Sequence, residues 1–166
     1  MKGMKIPHIQ FKVRIGPDWY EETTTDYFKG KRIVVFSLPG AFTPICSSKM
    51  LPRYEELYQD FISKGISEIY CSSVNDSFVM NAWRDNLGVE KIKMIADGSG
   101  ELTQALDMLV NKPAQNFGFR SWRFAMVVND MVVEKMFVEE GKNQLGLDSD
   151  PYEETKPEKV LEYLSA

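Results

Sequence analysis

The sequence predicts an α/β fold in which helices flank a central mixed β-sheet. Short apolar runs rich in β-branched residues, typical of buried strands, alternate along the chain with segments whose apolar residues recur at helical spacing. Two further apolar runs flank Asn129-Asp130, which predicts a β-hairpin. Because strands that alternate with helices pack in layers, this order favours an α/β architecture.

Four strands are predicted before the hairpin. Residues 11–15 alternate between apolar and charged side chains, as in a half-buried strand, whereas 33–36 form the continuous apolar run of a central strand. The remaining strands are predicted at 66–74 and 92–96, and the hairpin at 124–128 and 131–138.

The first helix is predicted to follow the 33–36 strand. Thr43 followed by Pro44 has the pattern of an N-cap and a first helical residue, and apolar residues at helical spacing continue from there to Ile62. Pro52 is expected to kink this helix and Gly65 to end it.

Three more helices complete the predicted order. They begin after the capping sequence Asn75-Asp76-Ser77, after the turn Gly98-Ser99-Gly100 with a run as far as Leu109, and at Pro157, which follows a loop over 141–155. A β-α-β unit followed by a hairpin and a closing helix is the outline of a thioredoxin-like fold. Such a fold by itself specifies no chemistry.

The length and composition predict one domain over residues 1–166, with neither a metal nor a cofactor. A chain with 43% hydrophobic residues at this length buries an apolar core without disulfide bonds. The single histidine, His8, argues against hydrolases that pair an imidazole with their nucleophile. Cys46 and Cys71 lie too far apart in sequence for a structural zinc site, and no glycine-rich nucleotide loop occurs.

The charge pattern argues against nucleic acid and membrane partners. The net charge is −4 and the pI about 5.1, whereas phosphate binding needs a basic surface. No apolar run reaches the ~18–20 residues of a membrane span, and no apolar leader follows the N-terminus. Two cysteines suit a reducing compartment, so we expect a cytoplasmic location. The acidic residues of 130–166, with Glu139-Glu140 and Glu153-Glu154, predict a solvated face.

Cys46 is the residue around which chemistry is predicted. If Thr43 is the N-cap, Cys46 takes the third helical position, where free N–H groups and the helix dipole favour a thiolate over a thiol. A fixed cation would favour the thiolate further, and Arg120 and Arg123 stand just before the strand at 124–128. These residues also fit a buried, unreactive cysteine and arginines in ordinary surface ion pairs.

Three segments of the sequence carry a family resemblance. The first is Pro39-Gly40-Ala41-Phe42-Thr43-Pro44-Ile45-Cys46 followed by Ser47-Ser48, the second is Ser73-Val74-Asn75-Asp76 with Phe78-Val79-Met80, and the third is Arg120-Ser121-Trp122-Arg123-Phe124. Together, and in this order, they resemble the type II, or peroxiredoxin-five, subfamily of the peroxiredoxins. One departure is Lys49-Met50, which stands where that subfamily often has Thr-His.

The resemblance implies a role for four residues. Cys46 would be the peroxidatic nucleophile, which becomes a sulfenic acid. Thr43 would position the attacked peroxide oxygen, and Arg123 would stabilise the thiolate and the leaving oxygen. Pro39 would shield the site from water. Arg120 is the weaker candidate because the family's arginine directly precedes Phe124.

The resemblance also implies an activity and its partners. It implies a thiol-dependent peroxidase that reduces hydrogen peroxide and organic (alkyl) hydroperoxides, with glutathione, glutaredoxin or thioredoxin as reductant in trans. A homodimer is expected if an exposed apolar patch surrounds Phe42, Phe119 and Trp122. The alternative function is a non-catalytic redox sensor, or a partner-binding module, switched by oxidation of Cys46.

Cys71 is a candidate resolving cysteine, since some members of the subfamily carry a second cysteine near this spacing. Its apolar strand context instead favours a buried and inert thiol. A disulfide requires Cα atoms within about 7 Å, which a strand and a helix start do not readily provide. We therefore expect a one-cysteine-like cycle in which an external thiol reduces the sulfenic acid.

Overall fold

Nine strands and six α-helices make up residues 2–166, the part of the chain that the computed structural model describes. The strands are β1 (Gln10–Ile15), β2 (Asp18–Thr23), β3 (Arg32–Ser37), β4 (Glu68–Ser73), β5 (Lys93–Ala96), β6 (Leu109–Lys112), β7 (Gly118–Ser121), β8 (Phe124–Asn129) and β9 (Val132–Val138). The α-helices are α1 (Thr24–Phe28), α2 (Leu51–Glu56), α3 (Tyr58–Ser63), α4 (Ser77–Asn86), α5 (Glu101–Ala105) and α6 (Pro157–Leu164). Within this range, no helix has both the length and the apolar character needed to cross a membrane.

Five strands form the central sheet in the order β5-β4-β3-β8-β9. Strands β3, β4 and β5 are parallel, whereas β8 is antiparallel to both β3 and β9. The predicted mixed sheet is therefore confirmed. Strands β1 and β2 form a separate antiparallel pair, and so do β6 and β7.

The sheet separates two apolar cores. Because successive strand residues point to opposite faces, Ile33 and Val35 of β3 enter one core, and Val34 and Phe36 enter the other. The first core includes apolar residues of α1 and α5, and the second includes those of α2, α3, α4 and α6. Both cysteines lie in the second core, so the chemistry expected of Cys46 belongs to this face.

Four short elements were not predicted from the sequence, and one helix was predicted to end too late. The missed elements are β2, α1, β6 and β7, whose lengths of four to six residues leave little room for a periodic signal. Residues 18–21 of β2 are also exposed and show no apolar alternation. The helix expected to reach Leu109 ends at Ala105, and Leu109 instead begins β6.

A π-helical turn at Cys46–Met50 lies shortly before Pro52, the residue expected to kink this helix. Proline has no N–H, so Pro52 leaves one carbonyl of the preceding turn without its α-helical donor. In the π turn, the N–H of Leu51 donates to the carbonyl of Cys46. Such turns within helices occur frequently at functional sites. The helix breaks a second time between α2 and α3, and Gly65 follows α3 as predicted, with φ of +89°.

The loop between β9 and α6 is held by buried polar groups. The carboxylate of Glu139 accepts three consecutive backbone N–H groups, from residues 153–155, at 2.9–3.1 Å. Lys112 and Asp148 form an ion pair whose side chains are both nearly inaccessible to solvent. The prediction of a solvated acidic face is therefore wrong for Glu139 and Asp148, because charge counting along a sequence cannot identify buried partners.

Candidate active site

The structure places Cys46 at the start of a helix, as predicted. The helical backbone begins at Pro44, directly after Thr43, which makes Cys46 the third helical residue. The Cys46 side chain is fully buried. The hydroxyl of Thr43 does not cap the helix but donates to the carbonyl oxygen of Gly40 at 2.7 Å. The Thr43 side chain therefore holds the turn that leads into the helix.

Arg123 reaches Cys46 from the short link between β7 and β8. Its side chain is only 2% exposed, and Nη1 lies 3.5 Å from Sγ of Cys46 and 3.2 Å from Sδ of Met50. The other side of the guanidinium contacts the loop after β9, where Nη2 pairs with Oδ1 of Asp150 at 2.5 Å and Nε donates to the carbonyl of Pro151 at 3.1 Å. The guanidinium thus joins the helix to the loop.

The surroundings of Arg123 keep it charged. Burial by itself lowers the pKa of the guanidinium, but the negative charges of Cys46 and Asp150 outweigh this effect, so the pKa of Arg123 lies above its ordinary value. The aromatic ring of Tyr152 adds a cation–π contact, with its centroid 5.6 Å from Cζ of Arg123. A permanent cation consequently lies beside the sulfur of Cys46.

Arg120 has a different task from Arg123. Its Nη1 donates to the carbonyl of Pro39 at 3.2 Å and packs so closely on Gly40 that a Cβ there would lie 2.5 Å from this nitrogen. Only glycine fits this position without a shift of the arginine. Pro39 is buried, and Arg120 fixes the turn that carries it. On the other side of the turn, Asn75 accepts the N–H of Ala41 at 3.0 Å.

Met50, the departure noted in the sequence, lies within the site. Its side chain is fully buried, and its sulfur shares Nη1 of Arg123 with Cys46. A thioether is a weak acceptor that carries neither a proton nor a charge at any pH. Met50 therefore fills this position without adding a titratable group.

Cys71 is also buried but has a different environment. It lies on β4, in the core that contains Cys46, and both cysteines are free of disulfide bonds. Burial raises the pKa of the Cys71 thiol well above its ordinary value, and the charge of Cys46 raises it further, whereas Arg123 acts in the opposite direction. This thiol therefore stays protonated at neutral pH.

The sequence did not single out three residues that contact Arg123. These are Asp150, Pro151 and Tyr152, which belong to the loop after β9. In the sequence, Asp150 is only one of several charges in the acidic segment 130–166, and no motif marks Pro151 or Tyr152. Within residues 2–166, no three His, Cys, Asp or Glu side chains are grouped to hold a metal ion.

Comparisons with known proteins show the family of this chain. The family model described as Redoxin matches residues 1–155. A peroxiredoxin of Sinorhizobium fredii is 52% identical over 96% of this chain and 89% of its own length. The chain belongs to the peroxiredoxin family. It is a thiol-dependent peroxidase, and the sequence-based assignment is confirmed.

Solved structures extend the similarity to the fold of this peroxiredoxin. The Plasmodium falciparum antioxidant protein, a 1-Cys peroxiredoxin, matches with a TM-score of 0.92 and 35% identity, covering 99% of this chain and 99% of that one. Reduced Prx3 of Vibrio vulnificus in complex with hydrogen peroxide matches with a TM-score of 0.88 and 34% identity, with coverage of 99% and 98%. The thioredoxin-like fold predicted from the element order is therefore confirmed.

The two arginines should respond differently to substitution by lysine. The three N–H donors of a lysine lie on one nitrogen, which cannot reach partners that contact three different nitrogens of the guanidinium. Arg123→Lys should therefore lower kcat/KM for hydrogen peroxide on the order of 10²-fold. Arg120→Lys keeps a donor near the carbonyl of Pro39, so its kcat/KM for hydrogen peroxide should fall much less. Peroxide consumption measured with each purified variant checks this, and equal losses would contradict the separate tasks of the two residues.

Proposed function

We propose that Cys46 is the nucleophile of this peroxiredoxin. The observation that carries the proposal is the buried Arg123 guanidinium, whose Nη1 lies 3.5 Å from the Cys46 sulfur at a helix start. The thiolate attacks one peroxide oxygen, the O–O bond breaks, and the leaving oxygen takes a proton to become water or an alcohol. Cys46 is thereby oxidised to a sulfenic acid, and the peroxide is reduced.

The other site residues support this step. We propose that the Thr43 hydroxyl, now bound to the carbonyl of Gly40, contacts the bound peroxide and orients the attacked oxygen. Arg123 stabilises the thiolate and the charge that develops on the leaving oxygen. Pro39 is buried in the turn held by Arg120, a position that supports its proposed role in excluding water.

We propose that an external thiol completes the cycle. One thiol attacks the sulfenic acid, releases water and forms a mixed disulfide with Cys46. A second thiol then attacks the external sulfur, so that the two external thiols form a disulfide and Cys46 leaves as the thiolate. The protonated, buried state of Cys71 supports this route, because a thiol that stays protonated is a poor nucleophile. The description of the similar Plasmodium falciparum protein as a 1-Cys peroxiredoxin also supports it.

Glutathione with glutaredoxin is the reductant we propose, with thioredoxin as the second choice. Hydrogen peroxide is the substrate we propose first, since the similar Prx3 of Vibrio vulnificus has been solved in complex with it, and organic hydroperoxides follow from the same chemistry. A thiol-driven cycle needs a reducing compartment, which supports a cytoplasmic location. Cell fractionation that recovers the protein outside the cytoplasm would contradict this location.

We also propose a homodimer. Phe42 and Phe119 are 54% and 62% exposed, which is unusual for phenylalanine and supports an association surface. Trp122 does not belong to this surface, because it is 2% exposed and donates Nε1 to the carbonyl of Glu139. The condition stated for a homodimer, an exposed patch around all three residues, is therefore not met at Trp122.

The nucleophile is tested by Cys46→Ser. This variant should consume no peroxide beyond the uncatalysed rate when glutathione and glutaredoxin are supplied, because a serine hydroxyl is not ionised at neutral pH. Peroxide loss is followed in a ferrithiocyanate assay, with wild type as the control for multiple turnovers. Sustained consumption by the variant would exclude Cys46, and a single turnover per wild-type chain would favour the sensor.

The recycling route is tested by Cys71→Ser. The glutathione-supported rate should stay at the wild-type value, and mass spectrometry of oxidised wild type should find no Cys46–Cys71 disulfide, because the Cys71 thiol is buried and protonated. A lower rate in the variant, together with that disulfide in the wild type, would show that Cys71 resolves the sulfenic acid.

The association surface is tested by Phe119→Glu. Sedimentation velocity should give wild type at twice the chain mass of 19.1 kDa and the variant at the single-chain mass, because a buried unpaired carboxylate opposes association. Lys142→Glu, at another exposed position, should remain a dimer. A monomeric wild type would contradict the proposal.

A further inference from the structure

Asp150 has a strained backbone that the structure holds in place. Its φ is +56°, in the left-handed region that residues other than glycine rarely adopt. The N–H of Asp150 donates to Oδ1 of Asp148 at 2.9 Å, and Asp148 in turn pairs with the buried ammonium of Lys112. Strained residues of this kind persist where the surroundings determine them, and they cluster at functional sites.

The strained residue directs its carboxylate at Arg123. Consecutive residues of the loop hold two nitrogens of the guanidinium, Asp150 at Nη2 and Pro151 at Nε. The remaining nitrogen, Nη1, faces the sulfur atoms of Cys46 and Met50. The loop therefore fixes the orientation of the group that contacts Cys46, although Asp150 itself makes no contact with the reacting sulfur.

The two anionic partners of Arg123 differ in whether the reaction changes them. Cys46 carries a negative charge as a thiolate, but it is uncharged while joined to a reducing thiol in a disulfide. Asp150 takes no part in the chemistry, and its carboxylate pairs with Nη2 of Arg123 whatever the redox state of Cys46. A buried cation that loses its only anionic partner is strongly destabilised, so Arg123 needs a second anion whenever Cys46 is neutral.

We propose that Asp150 is a positioning residue, the counter-ion that keeps Arg123 in place while Cys46 is uncharged. This inference rests on the proposed role of Cys46 as the reactive thiolate. It assigns the loop after β9 a part in the cycle, through the chain of contacts from Lys112 and Asp148 to Asp150 and then Arg123.

A double-mutant cycle in thermal stability tests the proposal without relying on activity. Asp150→Asn removes the charge but keeps a hydrogen-bond acceptor and tolerates the left-handed backbone. Cys46→Ser supplies a neutral residue in place of the thiolate. With both changes Arg123 has no anionic partner, so the loss in Tm should exceed the sum of the single losses by at least about 2–4 °C.

Glu153→Gln is the matched control for this cycle. Glu153 belongs to the same loop and also forms an ion pair, with Lys156, but both side chains of this pair are exposed to solvent. Glu153→Gln should lower Tm only slightly, and the loss in the double variant with Cys46→Ser should equal the sum of the two single losses. Additive losses for Asp150→Asn as well would overturn the proposal, because a merely structural role for Asp150 would not depend on the residue at position 46.

The kinetics of Asp150→Asn provide a second measurement. The variant should lose more in kcat/KM for glutathione, whose reaction passes through the neutral mixed disulfide, than in kcat/KM for hydrogen peroxide, which reacts with the thiolate. Equal losses on both substrates would contradict the proposal. If wild type shows no peroxidase turnover, the proposed function fails, yet the Tm cycle still decides whether Asp150 is the counter-ion of Arg123.

Discussion

The buried guanidinium of Arg123 is the interaction on which the site of this peroxiredoxin depends. It lies between a helix start, which supplies the sulfur of Cys46, and a loop, which supplies Asp150 and the carbonyl of Pro151. Burial of an arginine is costly unless its donors are satisfied and its charge is balanced. Here four donor contacts and an anion meet this requirement, so helix, strand and loop must be in place together for the cation to be stable.

The same requirement explains why a loop without helix or strand is so firmly held. Glu139 accepts the backbone N–H groups of 153–155, and the ion pair of Lys112 with Asp148 fixes the middle of the loop. Buried polar groups that are fully satisfied specify one arrangement, since any displacement leaves several of them without partners. The contacts that hold this loop also hold the carboxylate of Asp150 in position beside Arg123.

Two cysteines in one core have unequal chemistry because their neighbours differ. Cys46 lies at a helix start with a guanidinium nitrogen within hydrogen-bond distance, whereas the environment of Cys71 on β4 raises its pKa mainly through burial. Cysteine reactivity follows the thiolate, so the difference arises from the placement of one cation and not from the two side chains themselves. Because the site contains no imidazole, stabilisation of the Cys46 thiolate depends on that cation.

The sequence by itself determined the central sheet, its hairpin, the helix start at Cys46 and the arginine candidates, because these depend on local patterns and on a motif of consecutive residues. Short elements such as β2 and β6 were not predicted, since they contain too few residues for a periodic signal. Only the tertiary structure decided that Arg123 contacts Cys46 while Arg120 holds Pro39, that Trp122 is buried, and that Asp150 pairs with the cation. These outcomes depend on contacts between residues distant in sequence, which the pattern of neighbouring side chains does not encode.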